Sequence, residues 1–523
     1  MASDATRDGA GAKGVDSNAE VLSGAGPVAS DRAKRWWLGL MVLLLLVYAA
    51  QVPGHMRMMN DSLSYFARTH NLLEGRGLFY DDGFVNHPAG YSVLLAGMIT
   101  LGLDNVYWFI AVNVLSLAAG LGLMWVYWRR LDGFGVSVSA GLACVFMLSW
   151  STAKHVPMLY TELVFFVVTV GALLLCEWAM GMRWGPVMRG RWWGKLGVLA
   201  GAGVLIGAAV MVRTIAVAAL PALVWAGLGG WPGVRGVLRV IGRERLRLVG
   251  VVLVGALVFG VGVYVVVTSR YFENLMYRFR VEEHPIGRLV YFRLQEVGKL
   301  VLNMPGRALR ATGPGEWLVY PAGVVFFGLA GWGLWLKRWR WTASDVYVVG
   351  SAGILAIWQS FDTRFWLPLF PMILALQWRV VGRWVGGASE GDEVGGAVAS
   401  DHATSSGGQA GRWVCYGLAA YLVVYGLLGA GAIGRSVYLT YLGTGYSERA
   451  MFFRESYRVA YGEMDEAEVV GERDRRAVNL IRRYDPRTPA ELRGRLIPIV
   501  VESEGGDAGE LGGASGGGET SVD

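Results

Sequence analysis

A chain of 523 residues would ordinarily divide into several soluble domains, but residues AVILMFWYC make up 54% of this one and charged residues only 17%, against about a quarter charged in soluble proteins. Runs of roughly 20 apolar residues recur, the length a helix needs to cross a bilayer, so the composition predicts an all-α polytopic membrane protein. The formal net charge of +7 sits mostly at the ends of apolar runs and reads as topology rather than nucleic-acid binding, while Cys144, Cys176 and Cys415, all in apolar runs, exclude a disulfide scaffold and a Cys-based zinc site.

Residues 1–35 are polar and end in Arg32, Lys34 and Arg35. They read as a disordered cytoplasmic tail, too long and too acidic for a signal-peptide n-region, so the next segment is an uncleaved anchor. That first span, 36–54, opens with a Trp pair suited to the membrane interface. Further spans are expected at 105–128, 136–150, 158–181, 196–212, 214–230, 247–269, 316–336, 344–361, 365–381 and 413–433, eleven in all. The Arg-rich loops 129–130, 183–195, 235–247, 337–340 and 379–383 all lie on the cytoplasmic side only if 88–128 crosses once. The short apolar run 88–103 is therefore placed at the outer interface. The N-terminus is then inside and the C-terminus outside, in a cell (plasma or inner) membrane.

Residues 36–385 are thus read as a transmembrane catalytic module with outer loops 55–104 and 270–315. Residues 386–411, rich in Gly, Ala and Ser, read as a flexible cytoplasmic linker. The last transmembrane helix, 412–433, precedes a small extracytoplasmic segment, 434–502, and a disordered tail, 503–523.

This topology sorts the polar residues. Asp61, His87, Glu162, Arg213, Asp362 and Arg364 all fall on or near the outer side, as do five of the six histidines. Charges at membrane depth are costly and usually functional. Structural readings stand beside this one. Asp61 can cap the helix that follows it, Glu162 can satisfy a helix dipole, Arg213 can snorkel, and Arg364 can pair locally with Asp362. In the first outer loop, Asp61 opens an amphipathic helix carrying Leu63, Phe66, Leu72 and Leu73 and closed by Gly75 and Gly77. His87-Pro88-Ala89-Gly90-Tyr91 then leads into an apolar helix.

This order resembles the first extracytoplasmic loop of GT-C membrane glycosyltransferases, and more narrowly the bacterial relatives of dolichyl-phosphate-mannose protein mannosyltransferases and of lipid A aminoarabinose transferases. Asp61 matches the family's catalytic carboxylate, with Ser62 where Glu is common. Gly75-Arg76-Gly77 matches a Gly pair, and His87-Pro88 a cation-Pro-Pro element with Ala89 replacing the second Pro. Downstream, YTELVFF (160–166) and DTRFWLPLFPMILAL (362–376) match later helices and supply Glu162 and Arg364. The resemblance implies sugar transfer from a polyprenyl-phosphate-linked donor to a lipid, protein or glycan acceptor among membrane lipids.

The chemistry fits the residues. The transition state is oxocarbenium-like. An inverting transfer needs one carboxylate to take the acceptor's proton, which is Asp61, with Glu162 as the second candidate. Cations must stabilise the phosphate leaving group; His87, Arg213 and Arg364 are candidates, with Arg278, Arg280, Arg288 and Arg293 further along. No cofactor is required, and a divalent metal is left open because no residues have ligand spacing. The alternative is a secondary transporter or lipid-linked-sugar flippase, which predicts inverted repeats and midplane charges; a non-catalytic envelope protein would need neither Asp61 nor the clustered cations. Topology is checked by cysteine labelling: Asp82→Cys reacts with a membrane-impermeant reagent added outside, and Arg189→Cys does not.

Overall fold

A bilayer offers no water to backbone N–H and C=O groups, so a spanning segment must satisfy its own. The computed structural model describes residues 31–77, 88–181, 192–230, 285–304, 314–358, 362–385, 407–441, 453–469 and 471–499, and every regular element among them is a helix. In chain order these are α1 (Asp31–Ala49), α2 (Asn60–Leu73), α3 (Gly90–Thr100), α4 (Val106–Arg130), α5 (Val136–Leu148), α6 (Trp150–His155), α7 (Glu162–Met180), α8 (Trp192–Val212) and α9 (Ala219–Leu228). After residues outside the described set come α10 (Pro285–Val301), α11 (Pro314–Lys337), α12 (Ala343–Ile357), α13 (Phe370–Val385), α14 (Gly407–Tyr441), α15 (Arg454–Ala460) and α16 (Glu472–Tyr484). Among the described residues, five helices are long and apolar enough to cross a membrane: Val106–Arg130, Glu162–Met180, Gly194–Val212, Trp317–Lys337 and Trp413–Tyr441. The span expected at 247–269 lies outside the described residues.

Several boundaries differ from the sequence reading, each for a local reason. The expected span 158–181 starts at Glu162, because Pro157 follows α6 and residues 156–161 run non-helically into α7. The expected span 365–381 opens as a 3-10 turn, Thr363–Trp366, and becomes α13 only at Phe370, with Pro371 in the first turn, where its missing N–H costs nothing. The expected last helix, 412–433, is longer at both ends. α14 has 35 residues, starts within the expected linker and continues to Tyr441. No Gly or Pro interrupts 435–441, and Ser436 and Thr440 accept hydrogen bonds from Arg57 at 3.0 and 2.8 Å. α3 has 11 residues, about 16 Å of helix, roughly half the hydrocarbon thickness. It lies on α2, where Ser92 Oγ donates to the Tyr65 carbonyl at 2.9 Å.

No helix is expected at α10, which lies within the outer loop read at 270–315. It crosses α11 where both helices present glycine. A Cβ at Gly298 would overlap the Val319 carbonyl oxygen, and one at Gly323 that of Leu294. The helix ends away from Asp61 are tied by buried charges. Lys337 at the end of α11 meets Asp345 at 2.5 Å, Arg379 of α13 meets Asp132 at 2.5 Å, and Glu177 in the last turn of α7 accepts from Ser344 N at 3.3 Å. Apolar side chains such as Trp317, Trp335 and Leu427 face outward, as a lipid-embedded bundle requires. Because backbone, not a flexible side chain, fills the space at Gly298, Gly298→Ala forces α10 and α11 apart. We expect a loss of about 1–3 kcal/mol, typical of overpacking, read as a lower thermal unfolding midpoint of the detergent-solubilised protein. Gly331→Ala, with open space at its Cβ, leaves that midpoint unchanged.

Candidate functional site

The site forms where four chain segments break or begin at one end of the bundle. Asp61 lies in the first turn of α2. It does not cap that helix: Met59 is the N-cap, and Met59 N donates to Ser62 Oγ at 3.1 Å. Ser62, standing where the resembled family often carries Glu, donates in turn to the Leu159 carbonyl at 3.1 Å and ties the start of α2 to the approach of α7. Glu162 is the first residue of α7, where its charge also suits the helix dipole. Arg213 sits at the break between α8 and the 3-10 turn Thr214–Ala218. Arg364 lies in the 3-10 turn Thr363–Trp366, whose N-cap Asp362 accepts from Arg364 N at 3.0 Å.

These residues meet. Arg364 Nη1 is 2.7 Å from Asp61 Oδ2, and its Nε is 3.4 Å from Asp362 and 3.7 Å from Glu162. Arg213 Nη1 is 2.7 Å from Glu162 Oε1. The Phe365 ring lies under both guanidiniums, at 4.9 Å from Arg213 and 5.1 Å from Arg364, and Tyr160 faces Arg364 at 4.8 Å. Three carboxylates thus share two guanidiniums at the wall of a cavity of about 120 Å³. Asp61, Arg213 and Arg364 line it together with Tyr65, Pro88, Trp358 and Phe365. Glu162 is 1% exposed, and its Oε2 takes no hydrogen bond from the described residues.

Burial alone would lower the Arg364 pKa; Glu162, then Asp61, reverse this and hold it well above its ordinary value. Burial likewise works to raise the Asp362 carboxyl, but Arg364, then Lys154 and His155, pull it below the usual carboxylate range. Burial, then Lys154, pushes His155 down to about 4. Its ring is neutral near pH 7, with Nδ1 donating to the Ser151 carbonyl at 2.6 Å.

Of the residues singled out in the sequence, Asp61, Glu162, Arg213 and Arg364 come together. His87, Arg278 and Arg280 lie outside the described residues. Arg293 is turned elsewhere: it pairs with Glu296 at 2.5 Å and donates to the Trp358 carbonyl. Arg288 stacks on Phe292 of the same helix. Sequence reasoning did not single out Tyr160, Phe365 or Lys154, and placed His155 only among the outer-side histidines. The first two flank matched motif residues, a signal available in the sequence; Lys154 and His155 are marked only by their place on the same expected outer side. Among the described residues, no group of three or more His, Cys, Asp or Glu is placed to hold a metal ion.

No protein-family model matches the chain, and no curated protein does. Among solved structures it is similar to the archaeal oligosaccharyltransferase AglB from Archaeoglobus fulgidus, solved in complex with an inhibitory peptide and a dolichol-phosphate, at 14% identity and a TM-score of 0.41. The match covers 80% of this chain and 59% of that one, so the chain spans well under two thirds of its neighbour. Residue roles therefore rest on the geometry of this chain.

The neutral His155 yields a pH prediction. Its ordinary value is 6.5 and its folded value about 4, so between those two the unfolded chain binds the extra proton. The stability this group contributes is complete above about pH 6.5, falls on acidification and is gone, with no further fall from this group, below about pH 4. His70, also lowered by burial to about 4, acts in the same sense. We expect the unfolding midpoint to drop across this window and His155→Gln to flatten the drop.

Proposed function

We propose that the protein is an integral membrane glycosyltransferase that moves a sugar from a polyprenyl-phosphate-linked donor to a lipid, protein or glycan acceptor on the extracytoplasmic face. One observation carries the reading. Asp61, Glu162 and Arg364, which the GT-C resemblance marks in three separate stretches, touch one another or share a guanidinium beside a single cavity. In this reading Asp61 takes the acceptor's proton as the new glycosidic bond forms with inversion. Arg213 and Arg364 stabilise the departing phosphate. An arginine carries five N–H donors in a planar fork, so pairing with one carboxylate leaves donors for phosphate oxygens. Glu162 holds both guanidiniums in place, and His87 is a third cation. The expected arrangement of eleven spans, with the N-terminus inside, puts this end of the bundle outside, within reach of a lipid-linked donor.

The test compares Asp61→Asn and Asp61→Ala in transfer from labelled polyprenyl-phosphate-linked sugar. Asp61 is not a helix cap, and Arg364 keeps Asp362 and Glu162 when Asp61 is replaced, so both variants are expected to fold and insert with a lower unfolding midpoint, to keep binding donor, and to lose on the order of 10²-fold or more in turnover. Near-normal turnover in Asp61→Asn would remove Asp61 as the base. Arg364→Ala is expected to weaken donor binding about tenfold or more, from loss of a charged hydrogen bond. Arg364→Lys restores it only in part, because an ammonium lacks the planar fork.

A further inference from the structure

The segment that delivers Asp61 has almost no main-chain support of its own. Residues 54–59 run from the end of α1 to α2 without regular structure, yet Met56 and Met58 are 1% and 3% exposed. Buried backbone groups of this kind need partners, and side chains near the far end of the chain supply them. Asp485 Oδ2, 429 residues further along, accepts from Met56 N at 3.0 Å. The Tyr457 hydroxyl donates to the Met56 carbonyl at 2.6 Å and accepts from Met58 N at 3.0 Å. Tyr461 donates to Asp485 at 2.6 Å and fixes that carboxylate. The same C-terminal segment grips α2 one turn past Asp61, where Tyr484 stacks on Phe66 with ring centroids 5.1 Å apart.

We propose that residues 453–499 are a positioning module for the site, with Tyr457 and Asp485 as positioning residues that hold Asp61 in register with Arg364. The inference rests on Asp61 being the reacting carboxylate, and it gives the C-terminal segment a role in turnover. Asp61 is the second residue of α2, so a shift of the 55–58 backbone moves its carboxylate directly, whereas Arg213, Glu162 and the donor cations hang from other helices.

Tyr457→Phe removes one hydroxyl and leaves the ring; Asp485→Asn retains the shape of its side chain. Each is measured by amide hydrogen exchange over 52–66 and by transfer from labelled polyprenyl-phosphate-linked sugar. In Tyr457→Phe the Met58 amide is expected to exchange about tenfold or more faster. Turnover at saturating donor falls about tenfold or more, since small misplacements of a reacting group carry large penalties, while donor KM stays within about twofold. In an Asp61→Asn background, Tyr457→Phe causes no further fall, because its effect passes through Asp61. Should Asp485→Asn fold where Tyr457→Phe does not, it is judged by the same criteria. Unchanged turnover, or turnover and donor KM impaired together, overturns the proposal. If the wild type transfers no sugar, the transferase reading fails by itself, and the exchange arm decides on the module: faster exchange over 60–66 in the variants supports it, and unchanged exchange overturns it.

Discussion

Arg364 is a guanidinium that must stay charged at the end of an apolar bundle, and much of the architecture around it follows from that requirement. A buried charge needs partners with good geometry or it costs several kcal/mol. Here Asp61, Asp362 and Glu162, from three segments, all turn toward it. The helices cooperate by ending there. α8 gives way to a 3-10 turn at Arg213, and the chain after α12 re-forms as a 3-10 turn at Thr363. Carboxylates stand at helix starts and Arg213 at a helix end, so the dipoles reinforce the ion pairs. The aromatic rings of Tyr160 and Phe365 cover faces of the guanidiniums that no carboxylate reaches.

The bundle carries a second ionic layer at its opposite end. Lys337, Asp345, Asp132 and Arg379 pair there, and Glu177 closes on the start of α12. Between the layers the contacts are mostly apolar, and some close approaches rely on the absence of a side chain, as at Gly298 and Gly323. Dispersion and close backbone approach are what a lipid-embedded bundle has available in its middle, where apolar burial gains little over contact with lipid tails.

The residues of the site were largely legible in the sequence, because a charged residue between two apolar runs is conspicuous wherever it falls. Asp61, Glu162, Arg213 and Arg364 all stand out in this way, and the motif order marks three of them. Their pairing was not legible. Hydropathy shows that Arg364 is out of place in an apolar stretch but not that its partner lies some 300 residues earlier in the chain. Asp61, beside Asn60 and Ser62, looked equally fit to cap α2; that role fell to Met59 with help from Ser62. The amphipathic helix α10 was masked by the polar residues on either side of it. The clasp of Tyr457 and Asp485 on Met56 involves single hydroxyl and carboxyl groups meeting bare backbone, a contact that leaves no periodic trace at either end.

Among the described helices, α7 joins the two ionic layers with its own charged ends, Glu162 at its first residue and Glu177 in its last turn. The 15 residue steps from Glu162 to Glu177 rise about 22 Å, and each residue turns the helix by about 100°. Adding or removing one residue anywhere between them would swing one carboxylate away from its partners while the other stayed put. Substitutions along that stretch alter packing by degrees, but a change in its length breaks one layer outright. The spacing of α7 is therefore under tighter constraint than its composition.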